Sequence, residues 1–555
     1  MEWVAAQVPP AAPELERAGF APWLAVALAR RGVTDAASAE RYLNPSLDQL
    51  HDPYLLAGME EGVERLLRAR DAKEKIAIVG DYDVDGVTST ALLLAMLGAC
   101  GVDAVPILPH RLREGYGFQP VHVERAREQG CRLIVTADCG SSSLTAAQAA
   151  FEAGIDVLVT DHHLPGCELP PGTLHINPRQ ERCTYPFRDL AAVGLAFKLC
   201  LALAGRCGKE VDPARLLRIA CLGTIADLVP LHGENRVIAA LGLRALAEPR
   251  SEGLKALIRQ SGVKAPFSAA DVGYRLGPRI NAAGRLDNAE KALELLLTRD
   301  PKRAMALAAE LDARNRERQM EEARVVEEAR KLVVNGGDGP LPPVLVAWSP
   351  DWHKGVVGIA AGRLAKELHR PTLLLAVEGE LATGSGRSVP GLELHSFLGR
   401  WRDDLERFGG HSQAVGLTAR LDRLEDLRRQ WQEAGREWPE SLLAGRHEYE
   451  LVLEPRQVSN ELLKDMDRLE PFGQGNPRPL VRTGPLRLDG APRAFGGGHL
   501  SARTRGADGT VVELVGWGWQ GRASDLDGSF EVLGYLESDS WKGCPVIRLV
   551  DARAL

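Results

Sequence analysis

Between Lys75 and Val229, short and continuously apolar runs rich in β-branched residues alternate with helical stretches: IAIVG, VTSTALLLAMLGA, VDAVPI, RLIVTA, SLTAAQAAFEAG and DVLVT. Runs this short, with no polar residue at every second position, are strands buried on both faces. Strands of that kind separated by helices pair in parallel, because each crossover lays a helix over the sheet. This alternation constrains the stretch to an α/β fold.

The texture elsewhere differs. Residues 1–70 read as a helical N-terminal cap, with Pro9, Pro10 and Pro13 early and Pro45 and Pro53 breaking the later part. The parallel-sheet domain is expected over 71–300. From Pro301 the sequence becomes one long charged helix, assigned to 301–335 and ended by NGGDGPLPP, and a polar helix of that length bridges domains. A smaller α/β domain is expected over 336–446, with VLVAW and TLLLAV around the Gly-rich segments GVVGIAAGR and GSGRS. Over 447–555 short alternating strands split by Gly and Pro read as a small all-β barrel. The 555 residues agree with three or four domains at about 100–200 residues each.

The 68 Lys and Arg against 75 Asp and Glu give a net charge of −7, with 45% hydrophobic and 26% charged residues. That balance excludes a collagenous, wholly disordered or disulfide-stapled chain. It also means that any polyanion must be bound by a local patch rather than by overall charge. The nine Cys are an odd number without a C-x-x-C pair, which fits reduced thiols and a cytoplasmic location. No export signal and no membrane span are expected, since the most apolar stretch, Ala191 to Gly205, is interrupted by Lys198.

Three chemistry-bearing clusters follow strand ends. Asp81, Asp83 and Asp85 lie in GDYDVDG after IAIVG, Asp138 follows RLIVTA, and Asp161, His162 and His163 follow DVLVT. GDYDVDG is not an EF-hand loop: its twelfth position is Leu92 where a bidentate Glu is needed, and a strand precedes it. Taken alone it is equally a turn with solvated acids. In an open α/β sheet, however, residues past the carboxyl ends of strands line one crevice, and acids gathered there repel unless cations neutralise them. A further acid, Asp227, sits in RLLRIACLGTIADLVPL, read as a helix apolar on nearly every side, where it needs a metal, a cation or a hydrogen-bonded partner such as an Arg. Mixed carboxylate and imidazole ligands favour Mn²⁺ or Mg²⁺ over structural zinc, and so many of them suit two divalent cations and hydrolysis at phosphorus.

DYDVDG, TADCG, TDHH and GTIADLVPL resemble the four metal motifs of the DHH phosphoesterase superfamily. EGYGF, LGPRINAAGRL, GSGRS, FGGHSQAVG and PFGQGNPRP further resemble its RecJ family of 5′-to-3′ single-strand-specific DNA exonucleases. The resemblance implies a DHH domain, a connecting helix, a DHHA1 domain and an OB-fold. It implies Asp83, Asp85, Asp138, His162 and Asp227 as metal ligands with Asp138 bridging, and Asp81 as a member of the motif whose share in coordination stays open. His163 would stabilise the transferring phosphoryl group or the leaving oxygen, and Asp161 would orient the His pair. Two divalent cations are implied, Mn²⁺ before Mg²⁺. So is release of 5′-mononucleotides from the free 5′ end of single-stranded DNA in repair and recombination. The expected state is a monomer, with a RecQ-type helicase and a single-strand-binding protein as partners.

Substrate candidates are Ser385, Arg387 and Ser388 in GSGRS, read as a segment whose backbone amides approach a phosphate, although a lone G-x-G-R-S is more often a plain turn. His411, Arg111, Arg279, Asn281 and Arg285 join them as phosphate contacts, and Tyr116 and Phe118 as base-stacking rings. In the C-terminal domain, six Arg against the single acid Asp489 between Arg478 and Arg505, with Phe495, Trp517 and Trp519, read as a single-strand track. The rival readings are a DHH phosphatase for short oligonucleotides or small phosphate compounds, and a non-hydrolytic DNA-binding scaffold. The C-terminal β domain and Asp81 argue against the first, and the presence of every acid against the second.

Overall fold

The computed structural model describes residues 1–110, 114, 117–166, 168, 172–286, 289–334, 340–539 and 543–555, with the backbone alone over 283–286. The chain divides into two compact units, one of 4–281, 288–308 and 448–555 and the other of 1–3, 282–287 and 309–447.

In the first unit five parallel strands, β1 (Lys75–Gly80), β2 (Ala104–Ile107), β3 (Cys131–Ala137), β4 (Asp156–Thr160) and β5 (Leu174–Ile176), pair in the order β2-β1-β3-β4-β5. The apolar runs are explained by burial on both faces. Ile76, Ile78, Leu133 and Val135 face a core shared with α1 (Val84–Ala99), α4 (Ala192–Arg206) and α5 (Pro213–Ala226), while Ala77, Val79, Ile134 and Val157 face α2 (Pro120–Glu128) and α3 (Leu144–Glu152). The chain leaves β1 for β2 on one side and then crosses to β3 on the other. The strand ends of β1 and β3 are therefore a topological switch point, where open α/β sheets place their ligand sites.

The N-terminal helices gather a small core, including Leu15, Leu24 and Leu28, that closes on Leu469 just ahead of the barrel. Arg236, on α6 (Gly233–Leu246), locks the same junction by donating to the carbonyls of Tyr42, Leu469 and Glu470. The PFGQGNPRP segment is a latch. Buried Asn476 donates to the Leu469 and Pro471 carbonyls and accepts from Arg31 Nε, and Leu231 N donates to the Gln474 carbonyl.

In the second unit β6 (Leu345–Ser349), β7 (Thr372–Glu378), β8 (Leu381–Arg387), β9 (Arg407–His411) and β10 (Ala414–Arg420) pair in the order β9-β10-β8-β7-β6, antiparallel except for β6 with β7. One face packs on the C-terminal half of α7 (Pro301–Val334) and on α8 (Lys354–Leu368), the other on Leu424, Leu427 and Trp431. The outer face of α7 carries ion pairs at helical spacing, Arg324 with Glu321 and Glu328 among them, which keeps so polar a helix soluble.

Returning to the first unit, β11 (Val481–Leu488), β12 (His499–Gly506), β13 (Val511–Gly516), β14 (Phe530–Ser538) and β15 (Pro545–Ala554) form a five-stranded barrel in the order β11-β14-β15-β13-β12, closed by β12 on β11. Alternate residues fill it, Leu486, Leu500, Leu514, Phe530 and Ile547 among them. Among the described residues no helix is long and apolar enough to cross a membrane.

Candidate metal centre

Asp81, Asp138 and Asp161 are each the first residue after a strand, and each keeps its backbone in the ladder. Asp81 N donates to the Ala137 carbonyl (3.1 Å), Asp138 N to Thr160 (3.1 Å) and Asp161 N to Ile176 (3.2 Å). The carboxylates therefore form one row along the sheet edge. Gly86 lets the first motif close, because a Cβ there would come within 2.5 Å of the Asp81 carbonyl oxygen. Asp138 holds a left-handed backbone, φ +68°, a conformation that Asp tolerates better than most residues and that is stored where function demands it.

Three groups of ligand atoms each lie within 4.8 Å of one another: Asp81, Asp83 and Asp138; Asp85, His162 and Asp227; and Asp138, His162 and His163. Asp83 N-caps α1, accepting from Gly86 N at 3.1 Å. Asp85 is gripped from behind, its two oxygens accepting from Ala192 N and Val193 N (both 2.8 Å) at the start of α4, so each oxygen keeps one lone pair for a cation. Asp227 does not lie inside an all-apolar helix as its sequence suggests. α5 ends at Ala226, Asp227 is the residue beyond it, and its carboxylate lies 3.6 Å from His162 Nε2. The adjacent imidazoles diverge: their planes stand at 67°, with the His162 side chain 9% exposed and that of His163 41%. Asp161 accepts four hydrogen bonds, taking Ser141 N (2.9 Å) on one oxygen and His162 N (2.8 Å), His163 N (3.1 Å) and His163 Nδ1 (2.8 Å) on the other.

The residues fit divalent cations. Buried Asp138 Oδ1 and His162 Nε2 approach to 3.3 Å yet neither makes a hydrogen bond. Burial and then the Asp83 charge push Asp85 up to about 7; burial and then Asp85 and Asp83 push Asp227 up to about 9; and burial with the surrounding carboxylates holds Asp138 well above the usual range. Burial also raises Asp161, but its hydrogen bond and charge contact with His163 prevail and hold it far below the carboxylate range. Burial lowers His163, and the Asp161 contact outweighs it, so the ring stays above its ordinary value. His162 is pulled down to about 4 by burial and by His163, and is neutral, as a ligand must be.

A stability prediction follows. Carboxylates whose folded pKa lies above the unfolded 3.8 weaken the cation-free fold as pH rises from there through about 9. The rise in Tm on replacing EDTA by Mn²⁺ is expected to be larger at about pH 8.5 than at about pH 6, measured by scanning calorimetry, and equal rises would contradict it.

The other sequence candidates divide. Arg279 and Asn281 lie on the helix Gly277–Leu286, whose first residue sits against Ala226 at the end of α5. Ser385, Arg387 and Ser388 belong to the second unit, and GSGRS is not a loop there. Residues 384–387 form the centre of the sheet, paired to β7 and β10, so their backbone amides face the ladder rather than a phosphate. The glycines serve packing, since a Cβ at Gly384 would come within 2.0 Å of the Leu374 carbonyl oxygen. Ser385 and Arg387 instead reach α8 beside Gly358 and Gly362. Arg387 and Ser388 line a cavity of about 760 Å³ with Lys366, His369 and Arg446. His411 ends the exposed β9–β10 hairpin. Arg111, Tyr116 and the side chain of Arg285 lie outside the described residues. Phe118 is not a stacking ring: it is 1% exposed in the α2–α3 core.

The arginine stripe is mostly neutralised, Arg478 by Glu470, Arg482 by Glu531, and Arg503 and Arg505 by Asp489. Trp517 is 57% exposed and packs edge-on against Phe495 and His499, while Trp519 is a core residue at 5%. Asn177 escaped notice in the sequence. Fully buried, it donates to Ser141 Oγ (2.9 Å) and the His163 carbonyl (2.8 Å), fixing the His163 backbone. It too is the first residue past a strand, β5, whose run LHI is too short to stand out.

Family models match in chain order: the DHH family N-terminal domain over 75–224, the DHHA1 domain over 341–435 and the RecJ OB domain over 449–550. The chain is 40% identical over 470 residues to the single-stranded-DNA-specific exonuclease RecJ of Bacillus subtilis, covering 84% of this chain and 59% of that one. It is 38% identical to the RecJ of Salmonella typhimurium, covering 90% of this chain and 88% of that one. Among solved structures, RecJ of Thermus thermophilus in complex with Mn²⁺ aligns with a TM-score of 0.83 and 31% identity, over 100% of this chain and 80% of that one. With its parallel-sheet DHH domain, DHHA1 domain and OB barrel, the chain belongs to the RecJ family of single-stranded-DNA-specific exonucleases in the DHH superfamily.

Proposed function

We propose that this chain is a metal-dependent exonuclease that hydrolyses single-stranded DNA from its 5′ end and releases 5′-mononucleotides in the cytoplasm. The observation that carries this reading is the pair of three-residue groups at the strand ends, Asp81, Asp83 and Asp138 beside Asp85, His162 and Asp227. These residues would hold two divalent cations, Mn²⁺ before Mg²⁺, with Asp138 shared. When bound, such a pair supplies charge neutralisation and Lewis acidity for in-line displacement at phosphorus.

The chain's own residues do the rest. The start of α4 holds Asp85 in one orientation, and the first turn of α1 does the same for Asp83. Asp161 fixes the His163 ring through Nδ1 and favours its cationic form, which would neutralise the phosphoryl oxygens or give a proton to the departing oxygen. In the first unit Arg111, Tyr116, Arg279, Asn281 and the OB barrel with Trp517 are proposed as contacts to the strand, and so, each taken by itself, are Arg285, Ser385, Arg387, Ser388 and His411 of the second. The acting form is a monomer that takes strands opened by a RecQ-type helicase and coated by a single-strand-binding protein.

Single strands labelled at the 5′ or the 3′ end, digested with Mn²⁺, Mg²⁺ or EDTA, test the reading. A labelled mononucleotide released at once from the 5′-labelled strand alone, and not in EDTA, is expected. Release from the 3′ end first, or hydrolysis of dinucleotides with long strands untouched, contradicts it.

A further inference from the structure

At the ends of α1 and α5 remote from the carboxylates, the first unit opens into a cavity of about 920 Å³. α1 carries Asp83 and Asp85 at its start and lines the cavity from Ala91 to Ala99; α5 carries Asp227 at its end and lines the cavity from Arg215 to Ile219. At 1.5 Å per residue, these spans set the cavity about 10–20 Å along either helix from the metal centre.

The lining has two characters. Its lining includes leucines, Leu297 the most exposed of them at 37%, which make its apolar floor, and it also carries Arg215, Arg218, Arg250 and Arg299. Among the described lining residues Glu252 is the one acid, and it is paired with Lys255 at 2.7 Å, while Arg250 is ion-paired at 4.0 Å with Asp212 outside the lining. The N-terminus of the ten-residue helix Glu252–Ser261 opens here, with its N-cap Ser251 in the lining, and the positive end of its dipole adds to the arginines.

Arg218 is the buried member of the set. It is 5% exposed, its Nε donates to the Ala245 carbonyl at 2.8 Å, and its buried Nη1 has no hydrogen-bond partner. The same side chain also borders a smaller cavity of about 660 Å³.

From this geometry we infer that the larger cavity binds a free nucleoside 5′-monophosphate, with its phosphate on Arg218 and the rim arginines and its base on the leucine floor. A lone inorganic anion would leave the apolar floor uncovered, and an uncharged apolar ligand would leave the arginines unanswered; a nucleotide satisfies both. The choice of ligand rests on the proposed function, whose product has this chemistry.

Isothermal titration of the full chain with dAMP in EDTA tests the site. Inorganic phosphate, deoxyadenosine and a short single strand lacking a 5′-phosphate serve as separate titrants. Saturable dAMP binding is expected, weakened about tenfold or more in the exposed double variant Arg215→Ala/Arg299→Ala and in Arg218→Met, and unchanged in Asp138→Asn. The double variant guards against a folding defect at buried Arg218. No saturable binding of dAMP, wild-type affinity in both arginine variants, loss of binding in Asp138→Asn, or binding of the strand alone would each overturn the inference. If dAMP binds here while labelled strands go undigested, the proposed function fails and the site stands.

Discussion

Replacing Asp138 by glycine is expected to cut strand hydrolysis by at least about 10³-fold while leaving the fold as stable as before, or more stable. The activity loss follows because Asp138 is the one acid shared by two of the three ligand groups, lying beside Asp81 and Asp83 in one and beside His162 and His163 in the other. Losing several kcal/mol of charge stabilisation corresponds to that fold-change. The stability result follows from the backbone. At φ +68° a side chain is strained, and this one is also a buried carboxylate among others of its sign. Glycine removes both penalties. Asp138→Ala removes the charge but keeps a Cβ in the left-handed region, so it should lose the same activity and melt below the glycine variant. Initial rates on a labelled strand and thermal melts of both variants in EDTA check this, and a glycine variant that retained activity or melted well below the parent would contradict it.

Lys198→Met is expected to destabilise the first unit by about 3–5 kcal/mol, the usual cost of stranding one member of a buried ion pair. Lys198 and Glu234 are 0% and 1% exposed, and Lys198 Nζ lies 2.5 Å from Glu234 Oε1 and 2.6 Å from the His51 carbonyl. Glu234 also accepts from His51 N (2.8 Å) and Tyr185 Oη (2.6 Å). The cluster thus ties the N-terminal segment, α4 and α6 together, and α4 is the helix whose start grips Asp85. Removing Lys198 leaves a buried carboxylate with only neutral donors. Lys198→Met/Glu234→Gln removes the charge as well and should recover a substantial part of the loss. Urea unfolding of the two variants measures it, and a single variant within about 0.5 kcal/mol of the parent would show that the pair is not a fold determinant.

The same lysine shows what the sequence could and could not reveal. Lys198 is legible as a break in an apolar stretch, but its partner is 36 residues away on another helix, and the pairing exists only in three dimensions. The sheet was legible because two-sided burial writes itself as unbroken apolar runs. The metal row was legible because a parallel sheet sets the ends of its strands side by side. Asn177 obeys the same rule and was hidden by the brevity of β5. GSGRS misled because glycine marks both loops and close packing in sheets, and only the register with β7 and β10 decides between them. In the Arg478–Arg505 stripe the charge was legible and part of its pairing was not. Glu470 and Glu531, the counter-charges of Arg478 and Arg482, lie outside that stretch of sequence.

The central claim is that the row of strand-end carboxylates works as a centre of two cations. Equilibrium Mn²⁺ binding to the full chain, read by paramagnetic loss of free Mn²⁺ signal alongside single-turnover rates, tests it most directly. The account predicts two ions per chain, a cleavage rate that rises with the second ion, and one ion with no cleavage in Asp85→Asn. A single ion per chain at full activity, or an undiminished count in Asp85→Asn, would contradict it.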